Sequence, residues 1–452
     1  MAHLAHDPHK RPDRLTAADL APLAPLTMEV RDGALFVGGV SLVELAQREG
    51  TALYVMDEEH IRVQLRRYRS AFADAPSGIG VVYAGKAFIA RALCDLLAEE
   101  DCLLDVSSGG ELFVALAAGF DPGRVVVHGN NKTPRELAEA IEAGVGRVVV
   151  DSLEELELLS SLAVKFGAVQ PVFLRIKPGI VADTHEYVQT GAEDSKFGFG
   201  LADGAALEAV LRARELAGVQ LKGLHVHIGS QIFSLDPYRR VLEVMAGFMA
   251  ELRDAHGVVF EDFDLGGGLG IAYGLDDAPS SIEDFARVVS EALRENCAAH
   301  GLAVPRLLVE PGRSVAAVAG VALYTVGCVK VLEGVRTYVA VDGGMSDNIR
   351  TVLYGAHYEA LVASRADEPR DAIVTIVGKH CESGDVLIVD ASLQAPTPGD
   401  IVCVLGTGAY CRSMASNYNM QPRPAVVFVR DGTARTVLRR ETYSDLLACD
   451  VL

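Results

Sequence analysis

Four side chains of this chain combine the chemistry of a covalent catalyst with that of proton transfer and charge stabilisation. An amine, two imidazoles and a carboxylate each stand at the end of a short apolar run: Lys86, His128, His227 and Glu310. A lysine in such a place is usually solvated, but one partly withdrawn from water has a lowered pKa and can form a Schiff base with an aldehyde. The question is then which elements bring these groups together.

Eight apolar runs of strand length alternate with helix-like stretches such as residues 88–100, 110–118 and 153–166. This alternation is typical of a (β/α)₈ barrel, in which catalytic side chains lie at the C-terminal ends of the strands. All four candidate side chains occupy such ends. The runs are residues 81–86, 103–106, 125–128, 148–151, 172–175, 224–227, 263–266 and 307–310.

The natural aldehyde cofactor for a lysine is pyridoxal phosphate, which requires an anchor for its phosphate. Two segments could provide one. The glycine run 266–270 lets backbone N–H groups approach phosphate oxygens, and in the segment 310–313 glycine exposes backbone while Arg313 offers a planar fork. The glycine run is also compatible with a plain βα turn, and it lacks the setting of a dinucleotide-binding fingerprint.

Two histidines, His225 and His227, stand two residues apart on one predicted strand and therefore point to one face. A ring stacked on a flat cofactor is favoured over a metal site, because no Asp, Glu or Cys stands close by in the sequence. We therefore expect no metal. His128 opens the stretch 128–132, which can equally be the approach to a helix capped by Thr133 and Pro134.

Composition excludes several classes of partner. The net charge of -20 argues against nucleic acid or an anionic membrane, since both need a basic surface. The 8 cysteines include no C-x-x-C pair, which indicates separate thiols in a reducing compartment. Residues 1–14 are polar without an apolar stretch, and the longest apolar run, 314–329, is short for a membrane span. These features predict a cytoplasmic location.

The 452 residues exceed one barrel, so a second domain is expected. Residues 1–25 are predicted to be a flexible arm, 57–314 the barrel, and 26–56 with 315–452 a β-rich domain. The turn at Asp32 and Gly33 predicts a hairpin that joins the β-rich domain, since an isolated hairpin is marginally stable. Predicted strands of that domain cover residues 321–332, 337–341, 373–378, 401–405, 426–429 and 436–438.

Ten motifs, in order along about residues 55–429, resemble those of the fold-type III pyridoxal-phosphate-dependent decarboxylases. Within that family the likeness is greatest to the diaminopimelate decarboxylases. The resemblance implies an alanine-racemase-like (β/α)₈ barrel with a C-terminal all-β domain that includes the N-terminal strands. The motifs are residues 83–87, 105–111, 128–132, 185–187, 196–198, 225–231, 266–270, 310–313, 381–385 and 413–419.

The resemblance also implies how the cofactor would be held. Lys86 corresponds to the Schiff-base lysine, and His227 to the ring stacked on the pyridine. A glutamate facing the pyridine nitrogen keeps it protonated, so that the ring can accept electrons as CO₂ leaves. The residues implied in binding pyridoxal phosphate are Lys86, His227, Ser230, Gly268, Glu310, Pro311, Gly312, Arg313 and Tyr410.

Catalysis and substrate choice follow from the same resemblance. Lys86 and Cys381 are the implied catalytic residues, with Cys381 as proton donor. The implied active sites are shared across a homodimer, with Cys381 and Glu382 supplied by the neighbouring subunit. The implied reaction is decarboxylation of the amino acid meso-2,6-diaminopimelate to L-lysine, the last step of lysine biosynthesis. The implied substrate-binding residues are Arg313, Arg350, Tyr354, Glu382 and Tyr410.

Arg313, Arg350 and Tyr354 would clamp a distal carboxylate, and Glu382 would take the distal amine. A decarboxylase of lysine, ornithine or a polyamine precursor would need an acidic group instead of an arginine. An amino-acid racemase and a non-catalytic pyridoxal-phosphate carrier are further alternatives. Phe88 and Arg412 depart from the family pattern, and residues 183–196 are predicted to form a lid.

Overall fold

The computed structural model describes residues 6–75, 77–180 and 196–451. Within these ranges the chain divides into two compact units, a barrel unit of residues 64–271 and 279–312 and a β unit of 1–63, 272–278 and 313–452. The predicted lid, residues 183–196, lies outside the described residues except for Lys196.

The secondary-structure elements are numbered along the chain. The strands are β1 (Glu29–Arg31), β2 (Ala34–Val37), β3 (Val40–Ser41), β4 (Leu53–Asp57), β5 (Ile79–Ala84), β6 (Leu103–Val106), β7 (Val125–Val127), β8 (Arg147–Val150), β9 (Gln170–Lys177), β10 (Phe199–Gly200), β11 (Val219–His225), β12 (Asp262–Asp264), β13 (Arg306–Val309), β14 (Gly320–Leu332), β15 (Arg336–Val341), β16 (Ala360–Val362), β17 (Ala372–Val377), β18 (Val386–Leu393), β19 (Ile401–Val404), β20 (Ala425–Arg430) and β21 (Thr433–Leu438). The helices are α1 (Leu42–Glu49), α2 (Glu58–Ala71), α3 (Arg91–Glu99), α4 (Gly109–Ala117), α5 (Pro134–Ala143), α6 (Leu153–Lys165), α7 (Ala205–Glu215), α8 (Asp236–His256), α9 (Ile282–Ala299), α10 (Arg313–Ala316), α11 (Arg350–Tyr354) and α12 (Tyr443–Leu446).

Eight parallel strands, β5–β9 and β11–β13, form the barrel. The ring closes because β9 pairs with both β8 and β11, while β13 pairs with β5. Each of the eight predicted apolar runs overlaps one of these strands, so the predicted (β/α)₈ fold is confirmed. Short strand β10 adds to β9 outside the ring.

The barrel interior is filled by one apolar side chain from each of five strands, which makes it a packed core rather than a channel. Several surrounding helices begin at N-cap residues. The side chains of Ser108, Ser152 and Ser281 each accept a backbone N–H of the first helical turn. Thr133 does the same within a capping box, with Pro134 at the first helical position, as predicted. The five interior side chains are Val82, Val126, Val149, Phe173 and Leu308.

The β unit is built around β4, whose five residues are all buried. β4 pairs antiparallel with β14 and parallel with β20, so an N-terminal strand lies inside the C-terminal sheet. The hairpin of β1 and β2 turns at Asp32 and Gly33. Its Leu35 donates its backbone N–H to Ala363 O (2.7 Å) and joins the hydrophobic core of the unit. The predicted inclusion of the N-terminal strands in the β domain is thus confirmed.

The described part of residues 1–25, expected to be a flexible arm, is packed. Leu20 and Leu23 are buried in the core of the β unit. Arg370, fully buried, forms ion pairs with Asp13 of this segment and with Glu359. A buried arginine needs both carboxylates, and this fixes the segment in place.

Two further differences concern the extent of the β unit. Strand β18 was not expected, because buried Asp390 and Ser392 interrupt its apolar pattern. The boundaries between the two units lie at residues 63/64 and 312/313, whereas the sequence predicts 56/57 and 314/315. Residues 272–278 also belong to the β unit. None of the helices in the described ranges has the length and apolar character needed to span a membrane.

Candidate active site

Lys86 lies two residues beyond β5, at the C-terminal end of the barrel. The intervening Gly85 donates its N–H to Asp105 O (2.9 Å), and a Cβ there would stand 2.7 Å from the same oxygen. Glycine is therefore required to bring the chain out of the strand. Lys86 itself is exposed, and the strand pairing of β5 ends two residues before it, at Ala84.

Glu310 follows β13 and is buried between two imidazoles. Its Oε1 lies 2.8 Å from His128 Nε2, and its Oε2 lies 3.4 Å from His225 Nε2. The two rings meet edge to face with centroids 5.0 Å apart. The sequence argument that His225 has no acidic partner is therefore wrong, because β11 and β13 bring Glu310 to it. The donor atoms of these three residues all lie within 4.8 Å of one another, a spacing that could also hold a metal ion.

Burial and neighbouring charges set the ionisation of this group. Burial opposes the charge on Glu310, but His128 and His225 hold its pKa well below the usual range. Burial lowers the pKa of His225 to about 4. Burial, aided by Lys86 and Arg175, lowers the pKa of His227 well below its ordinary value. Glu310 is therefore a carboxylate at neutral pH, and His225 and His227 are neutral.

The buried His225 makes stability depend on pH. Its folded pKa of about 4 lies below the value of 6.5 for an exposed histidine, so the unfolded chain binds more protons between these pH values. The stabilisation is complete above pH 6.5 and is lost as pH falls towards 4, by about 3 kcal/mol. Denaturant titrations of wild type at pH 7 and pH 4.5 should show this loss. His225→Gln should show a smaller difference in stability between the two pH values, whereas the exposed control His9→Gln should match wild type. An equal pH difference in all three proteins would contradict the assignment.

The glycine run packs against the loop that carries His227 and Ser230. Gly267 donates its N–H to His227 Nδ1 (3.2 Å), so the ring proton resides on Nε2. Ile232 donates its N–H to Gly268 O (2.9 Å), which places the half-buried Ser230 beside the run. At Gly268, with φ +111°, a Cβ would lie 2.5 Å from Gly229 O. Close backbone packing alone therefore demands glycine there.

Residues 310–312 connect this group to the strand of Lys86. Pro311 O accepts the N–H of Ala84 (3.1 Å), and a Cβ on Gly312 would lie 3.0 Å from the Ala84 Cβ. The backbone of this segment thus lies against the base of the lysine. The barrel unit brings together Lys86, His227, Ser230, Gly268, Glu310, Pro311 and Gly312.

The donor set of the barrel end fits a pyridoxal phosphate group. Oε1 of Glu310 and Nε2 of His128 are both buried. Although the two atoms lie 2.8 Å apart, neither makes a well-aligned hydrogen bond. An ionised carboxylate with a free lone pair suits the protonated nitrogen of a pyridine ring. An accessible lysine and a neutral imidazole suit its aldehyde and its flat face.

Two arginines of the β unit share one tyrosine. Nη1 of Arg313 and Nη1 of Arg350 donate to the Tyr273 hydroxyl at 2.9 and 3.1 Å. Arg350 also donates to the Tyr358 hydroxyl, which in turn contacts Cys411 Sγ (3.6 Å). Both arginines are buried, and within the described ranges Arg350 has no carboxylate partner. We call Arg313, Arg350, Tyr273 and Tyr358 the arginine–tyrosine cluster.

The other predicted tyrosines take different places. Tyr410, at an unusual φ of +61°, is half-buried, and the guanidinium of Arg313 lies 4.9 Å from its ring centre. Tyr354 is half-buried at the end of α11, which Arg350 begins. The structure thus joins Tyr410 to the cluster by a cation–π contact. The tyrosines that hydrogen-bond Arg350 are Tyr273 and Tyr358, and sequence reasoning missed both.

Cys381 and Glu382 lie on an exposed loop. Cys381 donates its N–H to Asn419 Oδ1 (3.2 Å), and Glu382 Oε2 accepts from the Tyr418 hydroxyl (2.8 Å). Asp385 holds the loop by accepting the N–H of His380 (2.8 Å). The loop is therefore held by contacts within its own unit, while Cys381 and Glu382 are exposed.

Comparison with known proteins agrees with this geometry. Residues 58–317 match the family model described as the pyridoxal-binding domain of pyridoxal-dependent decarboxylases. The diaminopimelate decarboxylase of Bacillus subtilis is 46% identical, covering 93% of this chain and 95% of that protein. That of Mycobacterium tuberculosis strain H37Rv is 45% identical, again over 93% and 95%. The chain belongs to the diaminopimelate decarboxylase family.

Solved structures place the chain in the same family. The diaminopimelate decarboxylase from M. jannaschii in co-complex with L-lysine is 35% identical, with a TM-score of 0.89 over 95% of this chain and 99% of that one. The lysine/ornithine decarboxylase from Vibrio vulnificus, at 21% identity and a TM-score of 0.72, shares the fold alone. Diaminopimelate decarboxylases are lyases, and this chain is an enzyme of that class.

Proposed function

We propose that the chain decarboxylates meso-2,6-diaminopimelate to L-lysine and CO₂ in the cytoplasm, using pyridoxal phosphate held at the C-terminal end of the barrel. The observation that carries the choice of substrate is the arginine–tyrosine cluster. Buried Arg350 donates to two tyrosine hydroxyls and has no carboxylate partner in the described ranges, and a buried cation favours an anionic ligand. Diaminopimelate offers a distal carboxylate, whereas lysine and ornithine do not.

At the barrel end each residue has a defined task. Lys86 would bind the aldehyde of the cofactor covalently, His227 would stack on its ring, and Glu310 would keep the ring nitrogen protonated. Pyridoxal phosphate, when bound, supplies the electron sink that allows a carboxylate to leave as CO₂. The residues that would hold the cofactor are Ser230, Gly268, Tyr410 and residues 311–313, of which Ser230 and Tyr410 would contact its phosphate region. The carboxylate of Glu310 is supported in this task by His128 and His225.

The residues of the β unit recognise the substrate and supply a proton. Arg313, Arg350 and Tyr354 bind the distal carboxylate, and Tyr410 also contacts substrate. Glu382 binds the distal ammonium. Cys381 gives a proton to the carbon that CO₂ has left. A site that pairs each charged group of the substrate rejects analogues lacking one of them, because a buried partner would stay unpaired.

Loss of the proton donor should slow turnover without releasing the cofactor. We expect Cys381→Ala to reduce kcat by about 10²-fold, the usual size of a general-acid contribution. The visible absorbance of the bound cofactor should be unchanged. Cys328→Ala removes another exposed thiol of the same unit and serves as the control. Full activity of Cys381→Ala would reassign the proton donor.

The exposure of Cys381 and Glu382 on a single chain supports a homodimer in which these residues act on the partner's cofactor. Mixing two inactive variants, Lys86→Ala and Cys381→Ala, and letting the subunits exchange tests this. Sharing between subunits gives mixed dimers one intact site, so about a quarter of wild-type activity should return. If each chain completes its own site, no activity returns.

Product analysis tests the proposed function directly. The cofactor-loaded enzyme is incubated separately with meso-diaminopimelate, lysine and ornithine, and amino acids and CO₂ are measured. Lysine and CO₂ from diaminopimelate alone are expected. Faster release of CO₂ from lysine or ornithine would favour the alternative decarboxylase, and exchange of the α-proton without CO₂ would favour a racemase.

A further inference from the structure

A large cavity opens at the N-terminal face of the barrel, opposite the end that carries Lys86 and Glu310. It has a volume of about 950 Å³ and reaches the first residues of β5 and β6, Ile79 and Leu103. In this fold the N-terminal face of the barrel usually contributes to stability, whereas ligands bind at the C-terminal face. A cavity large enough for a ligand is therefore unusual at the N-terminal face. Five arginines line it: Arg66, Arg69, Arg124, Arg147 and Arg306.

Two of the arginines are fixed by one buried carboxylate. Arg147 donates through Nε and Nη2 to Asp262 Oδ2 at 3.2 and 2.8 Å. Arg306 donates through Nε to Asp262 Oδ1 (2.9 Å) and through Nη2 to Oδ2 (3.2 Å). Asp262 is 5% exposed, while the arginine side chains are 21% and 40% exposed. The carboxylate therefore orients both guanidinium groups and leaves their outer edges accessible.

The other three arginines are held by two carboxylates and by backbone. Arg66 forms a bidentate pair with Glu100 at 2.8 and 2.6 Å. Arg69 donates to Glu100 O (2.9 Å), and Arg124 donates to Cys102 O (2.7 Å). Asp101 lies between these two guanidinium groups, 3.8 and 3.3 Å away. Held in this way, the groups lose little rotational freedom on binding a ligand.

The charges of this cavity do not balance. Arg69 and Arg124 share Asp101, and Arg147 and Arg306 share Asp262, so these four arginines and two carboxylates carry an excess of two positive charges in a chain of net charge -20. Purely structural ion pairs would need no such excess. We propose that the N-terminal face of the barrel is a binding site for a small dianion of the phosphate or dicarboxylate class. Arginine forks match the oxygen geometry of both groups.

Calorimetric titration of the holoenzyme tests the site, since bound cofactor already occupies its own phosphate position. Inorganic phosphate and succinate are titrated separately against a sodium chloride control of equal ionic strength. Saturable binding of phosphate would assign the phosphate source, and saturable binding of succinate would assign the carboxylate source. Neither anion binding more strongly than chloride would overturn the proposal.

Variants that raise or lower the positive charge of this cavity test whether the anion binds there. Asp101→Asn raises the excess to three and should tighten binding about fivefold; its backbone φ of +54° is one that asparagine tolerates. Arg69→Gln with Arg124→Gln removes the excess and should weaken binding about tenfold or more. Arg135→Gln, on the exposed face of α5, is the matched control.

Asp101→Asn keeps the test decisive if the double arginine variant fails to fold, because it removes no arginine contact to backbone. Diaminopimelate turnover by Asp101→Asn should equal that of wild type, so succinate bound at the substrate arginines would not change with this substitution. Unchanged affinity in Asp101→Asn would place any bound anion elsewhere and refute the site.

Discussion

Replacing Lys86 by alanine is expected to abolish the visible absorbance of the cofactor-loaded enzyme and to reduce turnover by more than about 10³-fold, as removal of a covalent catalytic group does. The lysine lies two residues beyond β5, and Gly85 fixes the direction in which the chain leaves the strand. Glu310 would remain in place, because His128 and His225 hold its carboxylate. Absorbance spectra and CO₂ release with diaminopimelate measure both effects.

Two companion variants separate the covalent role of Lys86 from its charge. Lys86→Arg keeps a positive charge near His227 but offers no deprotonated amine, since arginine stays protonated at all accessible pH values. It should be as inactive as the alanine variant. Lys165→Ala removes an exposed lysine from the end of α6 and should behave as wild type. Substantial activity in Lys86→Arg would show that charge alone suffices.

The sequence predicted the barrel and its catalytic end because both depend on local pattern. Each strand of the ring is an apolar run, and a polar residue at the end of such a run lies at the C-terminal face by the geometry of the fold. Lys86 and Glu310 could therefore be placed without knowing any contact. The roles of the other site residues could be assigned only from the family resemblance, because the pattern of charged residues alone is compatible with several ligands.

Partners that meet only through the fold could not be predicted. His225 and Glu310 stand on β11 and β13, which are separated by β12 in the ring, so their 3.4 Å contact is invisible in the sequence. Tyr273 follows the glycine run of the barrel yet belongs to the β unit, where it hydrogen-bonds Arg350. A tyrosine after a glycine run has no distinguishing signal until the arginines are located. The buried polar residues of β18 concealed that strand in the same way.

Replacing Arg350 by methionine should change which amino acid the enzyme prefers. Arg350 carries a buried positive charge, and binding of a carboxylate there is worth about 3 kcal/mol as a charge-assisted hydrogen bond. The kcat/KM for diaminopimelate should therefore fall by about 10²-fold. The rate with lysine, which has no distal carboxylate, should not fall, because the barrel end that performs the chemistry is unchanged. Steady-state kinetics with both substrates measures the ratio.

The effect should be specific to the fork and the position of this arginine. Arg350→Lys retains the charge but cannot reach both Tyr273 and Tyr358 with a planar group, so it should recover only part of the lost kcat/KM. Arg435→Met removes a half-exposed arginine of the same unit and should leave the ratio unchanged. An equal loss of activity on diaminopimelate and lysine in Arg350→Met would mean that the arginine supports the fold of the β unit rather than the distal carboxylate. The substrate would then have to be recognised by other residues.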